Sequence, residues 1–349
     1  MTNMFSYDAY KMVDLAPIFE VAPSEGYLLQ NLNIFDKSSS NGIYVMLDRL
    51  IEDNKTLLNQ PKKRYSFEHD ATARTPANSF PVELLHLHRE DTVSAVDFQK
   101  AGRKPGTDVQ ETMLDIVADY TLKHAKSYKR YVESAYGDAL FRGLVQTPYT
   151  QEAPVIDYAD SFDAPMMADT ITLSNGSTDA LEVFNGFLDK ISTATDGLWT
   201  DVRRVVCFAS ASFYNSLRFH ASMKSAYQYV DPFNEMNIVY QRKEVLPNVQ
   251  TFTLPGLSID VIKVTDPLLT PFIADGTAVM LPVFQSNTNV YQHLYGPASV
   301  DTNLAASGIT QEYFSYQYEK ERGEVEIVSE ASVLPVNHGT NFSLVITAN

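Results

Sequence analysis

A single cysteine, Cys207, stands among the 349 residues. No disulfide can form within one chain, and the composition suits a reducing compartment. No apolar run reaches the roughly 18 residues needed to span a bilayer. Residues 1–17 have no basic start followed by an apolar stretch, so they do not read as a secretory signal. There is no glycine-rich phosphate loop, no Gly-x-Ser-x-Gly elbow and no His-Glu-x-x-His. Internal repeats and low-complexity tracts are also missing. These absences leave no catalytic, cofactor-binding or metal-binding residue to assign.

Acid predominates in what is present. The chain carries 43 acidic and 27 basic side chains, a net charge of −16. Residues 1–150 hold 20 acidic and 17 basic groups (−3), and residues 151–349 hold 23 and 10 (−13). The second part should repel nucleic acid rather than bind it. The length exceeds the roughly 250–300 residues at which single cores stop growing, so two or more subdomains are expected.

Individual residues offer little chemistry. His86 and His88 sit two apart on an expected strand and share a face, but nothing nearby supplies a third ligand, so they read as surface or interface histidines. Asp157, Asp160 and Asp163 lack the spacing and turn glycine of a calcium loop and read as a solvated acidic connection. Cys207 follows Val205 and Val206 in an apolar run and reads as a buried thiol rather than a nucleophile. Lys62, Lys63 and Arg64 form a small basic cluster flanked by acids. They are expected to make salt bridges to the acidic part of another subunit.

Several elements can be placed by pattern. Residues 1–42 carry Phe5, Tyr7, Tyr10, Phe19, Tyr27 and Phe35 with no sustained period. They read as an extended arm whose apolar side chains must lie on another surface. Residues 43–90 read as a long β-ribbon, with arms at Ile43–Leu47 and Val82–His88 and Lys62, Lys63 and Arg64 at its tip. Thr107 and Gln110 form a capping box for a helix over 107–142. Its stripe is Met113, Ile116, Val117, Tyr120, Ala125, Tyr128, Val132 and Ala135, it can bend at Gly137, and it ends at Gly143. Beyond an acidic connection come a helix over 179–191, an apolar strand over 202–208, and a helix over 212–229. A hairpin around Pro255-Gly256 and strands over 277–281, 324–336 and 342–347 complete the pattern.

This order of parts resembles the Hong Kong 97-type capsid fold and, more closely, the lambda-like major capsid protein E family of tailed bacteriophages. Four stretches carry the resemblance. The first is the Leu-His-Leu-His-Arg-Glu-Asp run ending at Asp91, together with Glu133–Gly143. The others are Arg204–Leu217 with Met223–Tyr227, Phe252–Val261, and Ser329–Pro335. The resemblance covers residues 80 to 349 and implies an α+β architecture. Residues 1–42 would be an N-terminal arm and 43–90 an extended loop. Residues 91–174 with 326–349 would form a peripheral domain on the spine helix, and 175–325 an axial domain. The implied function is a non-enzymatic shell subunit of the virion, assembled in the host bacterial cytoplasm. Copies would form hexamers and pentamers of an icosahedral shell, enclosing double-stranded DNA without sequence-specific binding and without a membrane. A separate scaffolding protein, a portal and a decoration protein would be partners. The intersubunit contacts would include Phe5, Tyr7, Tyr10, Phe19, Lys62, Lys63 and Arg64. The alternatives are an encapsulin-like nanocompartment shell of the same fold and, more remotely, an enzyme of unknown class.

Overall fold

A computed structural model describes residues 13–21, 26–47, 79–94, 96–97, 113–145, 156–227, 249–286, 288–320 and 323–349. The expected cap at Thr107 and the ribbon between residues 48 and 78 lie outside them.

The N-terminal part runs through β1 (Val13–Asp14), α1 (Ala16–Val21), α2 (Leu28–Leu32) and β2 (Asp36–Ser39). Asn33 closes α2 in the left-handed conformation, φ 52°, a place where asparagine is tolerated. The expected arm differs here: Tyr27, Leu28, Leu29, Ile34 and Phe35 are buried in the chain's own core. Phe35 stacks on Tyr136 with ring centroids 4.1 Å apart. Their apolar area is too large to leave in water, and the chain's own long helix supplies the cover.

β3 (Tyr44–Leu47) and β4 (Phe80–Glu83) pair antiparallel, with Val45 opposite Val82. The second ribbon arm is shorter than expected. After Leu84 the chain turns away into β5 (Leu85–Val93), which joins another sheet. The apolar alternation of Val82–His88 belongs to two strands, because Leu84 and Leu85 are both buried and break the period of two.

The long helix α3 (Met113–Phe141) has 29 described residues, about 44 Å of rise. It passes Gly137 without interruption. A Cβ there would come within 2.7 Å of Leu269 Cδ2 and 2.9 Å of Phe272 Cδ2, so this glycine permits a close approach rather than a bend. Gly143, at φ +69°, follows the last turn. Next come β6 (Leu144–Val145), β7 (Ile156–Asp157), α4 (Tyr158–Ser161) and β8 (Met167–Ile171). Helix α5 (Ala180–Thr195) is capped by Asp179, whose carboxylate accepts from the backbone N–H groups of Leu181 and Glu182. β9 (Val202–Ala209) is the expected apolar strand.

The single helix expected over 212–229 is two in its described part, α6 (Ala211–Arg218) and α7 (Ala221–Tyr227). The break follows from His220, which turns inward to bond Ser222 Oγ at 2.8 Å and the Asn175 carbonyl at 3.1 Å. β10 (Thr251–Leu254) and β11 (Ile259–Lys263) form the expected hairpin, with Gly256 at φ +79°. The chain ends with β12 (Thr277–Phe284), β13 (Tyr291–Tyr295), α8 (Thr302–Ser307), β14 (Phe314–Glu319), β15 (Val325–Asn337) and β16 (Leu344–Ala348).

Two six-stranded sheets result. The first has the order β1-β14-β15-β13-β2, with β5 along β15, and the second has the order β10-β11-β9-β12-β16-β8. Sheet membership therefore departs from the expected boundaries at 174 and 325. β8 and β16, expected with the spine helix, belong to the second sheet, while β13 and β14, expected in the axial part, pair with β15. One core joins Tyr136, Ala139 and Leu140 of α3 to Leu334 and Val336 of the first sheet and Val206 and Phe208 of the second. The other face of the second sheet packs Cys207 and Met280 under Phe184, Phe213 and Leu217 of α5 and α6.

Candidate assembly interface

Register decides what the ribbon presents. Val45 and Leu47 face inward with Val82 and Phe80, packed on the chain's own core. Tyr44 and Met46 lie on the other face, paired with Glu83 and Pro81. They are 64% and 59% exposed, and the preceding Ile43 is exposed too. Adjacent exposed apolar side chains of this size mark an interaction surface rather than scattered surface apolarity.

A second feature lies between α3 and the first sheet. The helix meets the sheet near both ends. Ile116 and Val117 pack with Val93, Val325 and Ile327 at one end, and Tyr136, Ala139 and Leu140 join the larger core at the other. Between these anchorages lies a cleft of about 590 Å³, lined by Leu87, Arg89, Ser127, Tyr128, Tyr131, Tyr313 and Ala331 among others. Its inner edge is polar. Buried His124 places Nε2 2.6 Å from Asp91 and Nδ1 2.9 Å from Ser329 Oγ, which is also 2.9 Å from Ser315 Oγ. Burial lowers the His124 pKa, against the opposing pull of Asp91. The neutral ring with its proton on Nε2 fits this setting: it donates to the Asp91 carboxylate and accepts from the Ser329 hydroxyl.

The third feature ties the N-terminal segment to the helix. Glu133 is fully buried. Its carboxylate accepts from Leu29 N at 2.7 Å, Gln30 N at 3.2 Å and Gln30 Nε2 at 3.2 Å. Burial pushes its pKa up to about 7 despite these donors. Within β2, Lys37 pairs with Glu312 at 2.7 Å, and Tyr128 donates to the Glu312 carbonyl at 3.1 Å. His293 is buried beside them, edge-on to Tyr136, and burial takes its pKa down to about 4.

Of the contact residues expected from the sequence, Phe5, Tyr7, Tyr10, Lys62, Lys63 and Arg64 lie outside the described residues. Phe19 falls within α1, but its side chain is outside the description. His86 and His88 do share one face, with rings stacked 6.1 Å apart. Among the described residues no group of three or more His, Cys, Asp or Glu is arranged to hold a metal. Asp157 is engaged as the cap of α4, accepting from Asp160 N. Cys207 is buried, and burial pushes its thiol up to about 12. Among the described residues, no helix is long and apolar enough to cross a membrane. Sequence reasoning missed Tyr44, Met46 and the cleft. Residues 43–47 are apolar throughout, so the sequence alone does not say which of them face outward.

A long helix bridging one sheet, a second sheet with its own helices, and an apolar ribbon face make up a fold also found in a known capsid protein. The putative capsid protein of a prophage of E. coli CFT073 shares this fold. It is 9% identical, with a TM-score of 0.58 over 97% of this chain and 99% of that chain. The capsid of the native GTA particle (11% identity, TM-score 0.44, 94% and 91% covered) and the virus-like particle from Pyrococcus furiosus (11%, 0.43, 96% and 100%) align more loosely. No curated protein matches the sequence. The model of the family phage major capsid protein E matches residues 11–347, and the chain belongs to that family.

Proposed function

We propose that this major capsid protein assembles with copies of itself, as hexamers and pentamers, into the icosahedral head of a tailed phage enclosing double-stranded DNA. The observation that carries this reading is the outward apolar face of β3. Tyr44 and Met46 are large, exposed and on one face of a ribbon whose opposite face is anchored in the core. Such a face is costly in a free monomer and useful where copies meet. In this reading α3 and the first sheet form the peripheral wall, and the second sheet with α5, α6 and α7 forms the axial domain. The excursion that leaves from β3 and returns through β4 is the extended loop, and Lys62, Lys63 and Arg64 within it meet the acidic part of a neighbour. The arm, with Phe5, Tyr7 and Tyr10, reaches a further copy. The charge of −13 over residues 151–349 keeps packed DNA from adhering to an inward surface. The protein carries out no catalysis. Its partners are a separate scaffold, a portal and a decoration protein, and it assembles in the host bacterial cytoplasm before residing in the virion.

Many modest contacts repeated around a closed shell give stability by multivalency. Negative-stain imaging of the protein co-expressed with its scaffold tests this. Closed shells of uniform diameter are expected, and dispersed subunits would overturn the reading. Nucleic acid recovered from nuclease-treated particles made during infection separates a genome container from a protein-cargo compartment. Reversing Lys62, Lys63 and Arg64 to glutamate is expected to lower the denaturant concentration at which heads dissociate.

A further inference from the structure

We propose that His86 and His88 on β5 form a two-imidazole site for a divalent cation of the Cu²⁺, Ni²⁺ or Zn²⁺ class. Side chains alternate across a strand. Asp91 and Val93 meet α3, so His86, His88 and Glu90 lie on the opposite face of β5, where all three are exposed. Cross-strand pairing with β15, from Val93 opposite Val325 to Leu85 opposite Val333, fixes β5 along its whole length. The spacing of the two histidines is thus set before any ion arrives. Their rings lie 6.1 Å apart between centroids and 14° from parallel. With metal–nitrogen bonds of about 2.0–2.1 Å, two imidazoles on one ion have ring centres no more than about 6.5 Å apart. Rotation of the two side chains brings one nitrogen of each onto a shared ion without moving the backbone. Among the described residues no third protein ligand is in place, and water fills the remaining positions of the ion.

The other four histidines of the described residues, His124, His220, His293 and His338, are buried. Among the described residues, a cation arriving from solvent meets imidazole only at this pair. Charge favours its arrival. Glu330 stands opposite His88 on β15. Its carboxylate accepts from the Tyr316 hydroxyl at 2.9 Å and from the backbone N–H groups of Ser299 and Val300 at 2.8 and 2.9 Å. Those bonds make it a fixed anion beside the site rather than a ligand. Exposed Glu90 adds a second carboxylate on the same face as the histidines. Burial lowers the His86 pKa, against the opposing pull of Glu330, which keeps the ring neutral and able to ligate near neutral pH. Imidazole also selects the ion. Mg²⁺ and Ca²⁺ take oxygen ligands. Paired nitrogens should rank the rest in the usual affinity order, with Cu²⁺ ahead of Ni²⁺ and Zn²⁺.

Isothermal titration calorimetry on the full chain, purified without a histidine tag and stripped with chelator, tests the site. CuCl₂ should bind, NiCl₂ and ZnCl₂ should bind more weakly, and MgCl₂ should give no binding heat. One ring alone forfeits the chelate, so His86→Gln and His88→Gln should each weaken Cu²⁺ binding at least about tenfold. His69→Gln, at a histidine outside the described residues, should bind as the wild type does. Both site positions are exposed, so without metal the two variants should melt at the wild-type temperature, which separates a lost ligand from a damaged fold. Electron paramagnetic resonance of the Cu²⁺ form should show coupling to nitrogens of two imidazoles. A wild-type chain that binds no Cu²⁺ would overturn the proposal. So would an effect from only one of the two site substitutions, or loss of binding in His69→Gln.

Discussion

At the scale of single residues, Glu133 shows how far a side chain's role depends on a partner distant in sequence. In an amphipathic helix its position reads as solvent-facing, and nothing in residues 129–137 announces burial. The partners, Leu29 and Gln30, lie about a hundred positions upstream. The carboxyl's pKa is raised from 4.5 to about 7. The folded state therefore holds this proton more tightly than the unfolded chain does. The stabilising contribution is fully present below pH 4.5 and is lost as pH rises through about 7. Glu133→Gln removes that dependence. Denaturant unfolding at pH 5 and pH 7.5 should show the wild type losing stability relative to the variant by about 2–3 kcal/mol. Parallel pH profiles would refute this assignment. Cys207, by contrast, was legible: preceded by Val205 and Val206 in an apolar run, it is buried in β9, and its thiol is pushed up to about 12. Native protein should resist thiol labelling at pH 8 until denaturant is added.

At the scale of elements, strongly periodic or capped segments were readable and their interruptions were not. The described part of α3 follows the expected stripe, with Ile116, Val117, Ala125, Val132 and Ala135 all buried. The hairpin at Pro255-Gly256 and the strand through Cys207 also stand where expected. The break between α6 and α7 escaped notice because it depends on His220 reaching the carbonyl of Asn175, a tertiary contact. Gly137 was misread for a similar reason. Local propensity makes a helical glycine a weak point, yet here Leu269 and Phe272 occupy the space a Cβ would need. Gly137→Ala should gain about 1 kcal/mol in helix propensity. Overpacking should cost about 1–3 kcal/mol. The net expectation is a lower melting temperature, and a larger loss for Gly137→Val. A stabilised Gly137→Ala protein would show that the two side chains move aside freely.

At the scale of the whole molecule, strand patterns alone could not assign strands to sheets: β16 reads as well for one sheet as for the other, and β8 falls within what reads as an acidic connection. Their pairing depends on β12 and on each other, across more than 170 residues. The same long-range packing redraws the N-terminal arm. From Val13 onward its described parts are bound to this subunit. β1 pairs with β14, Leu15 packs with Val93 and Ile116, Tyr27 is buried, and Leu28, Leu29, Ile34 and Phe35 enter the main core. Deleting residues 1–35 would therefore remove several buried apolar side chains at about 1.5–3 kcal/mol each. That sum rivals the roughly 5–15 kcal/mol that holds a whole domain together. The longer deletion should yield misfolded protein and say nothing about assembly. Deleting residues 1–12 leaves that core intact while removing Phe5, Tyr7 and Tyr10. The shorter deletion should melt at the wild-type temperature yet fail to produce closed particles in negative stain. Normal particles from it would show that the shell is held without the arm, leaving the ribbon face as the principal tie between copies.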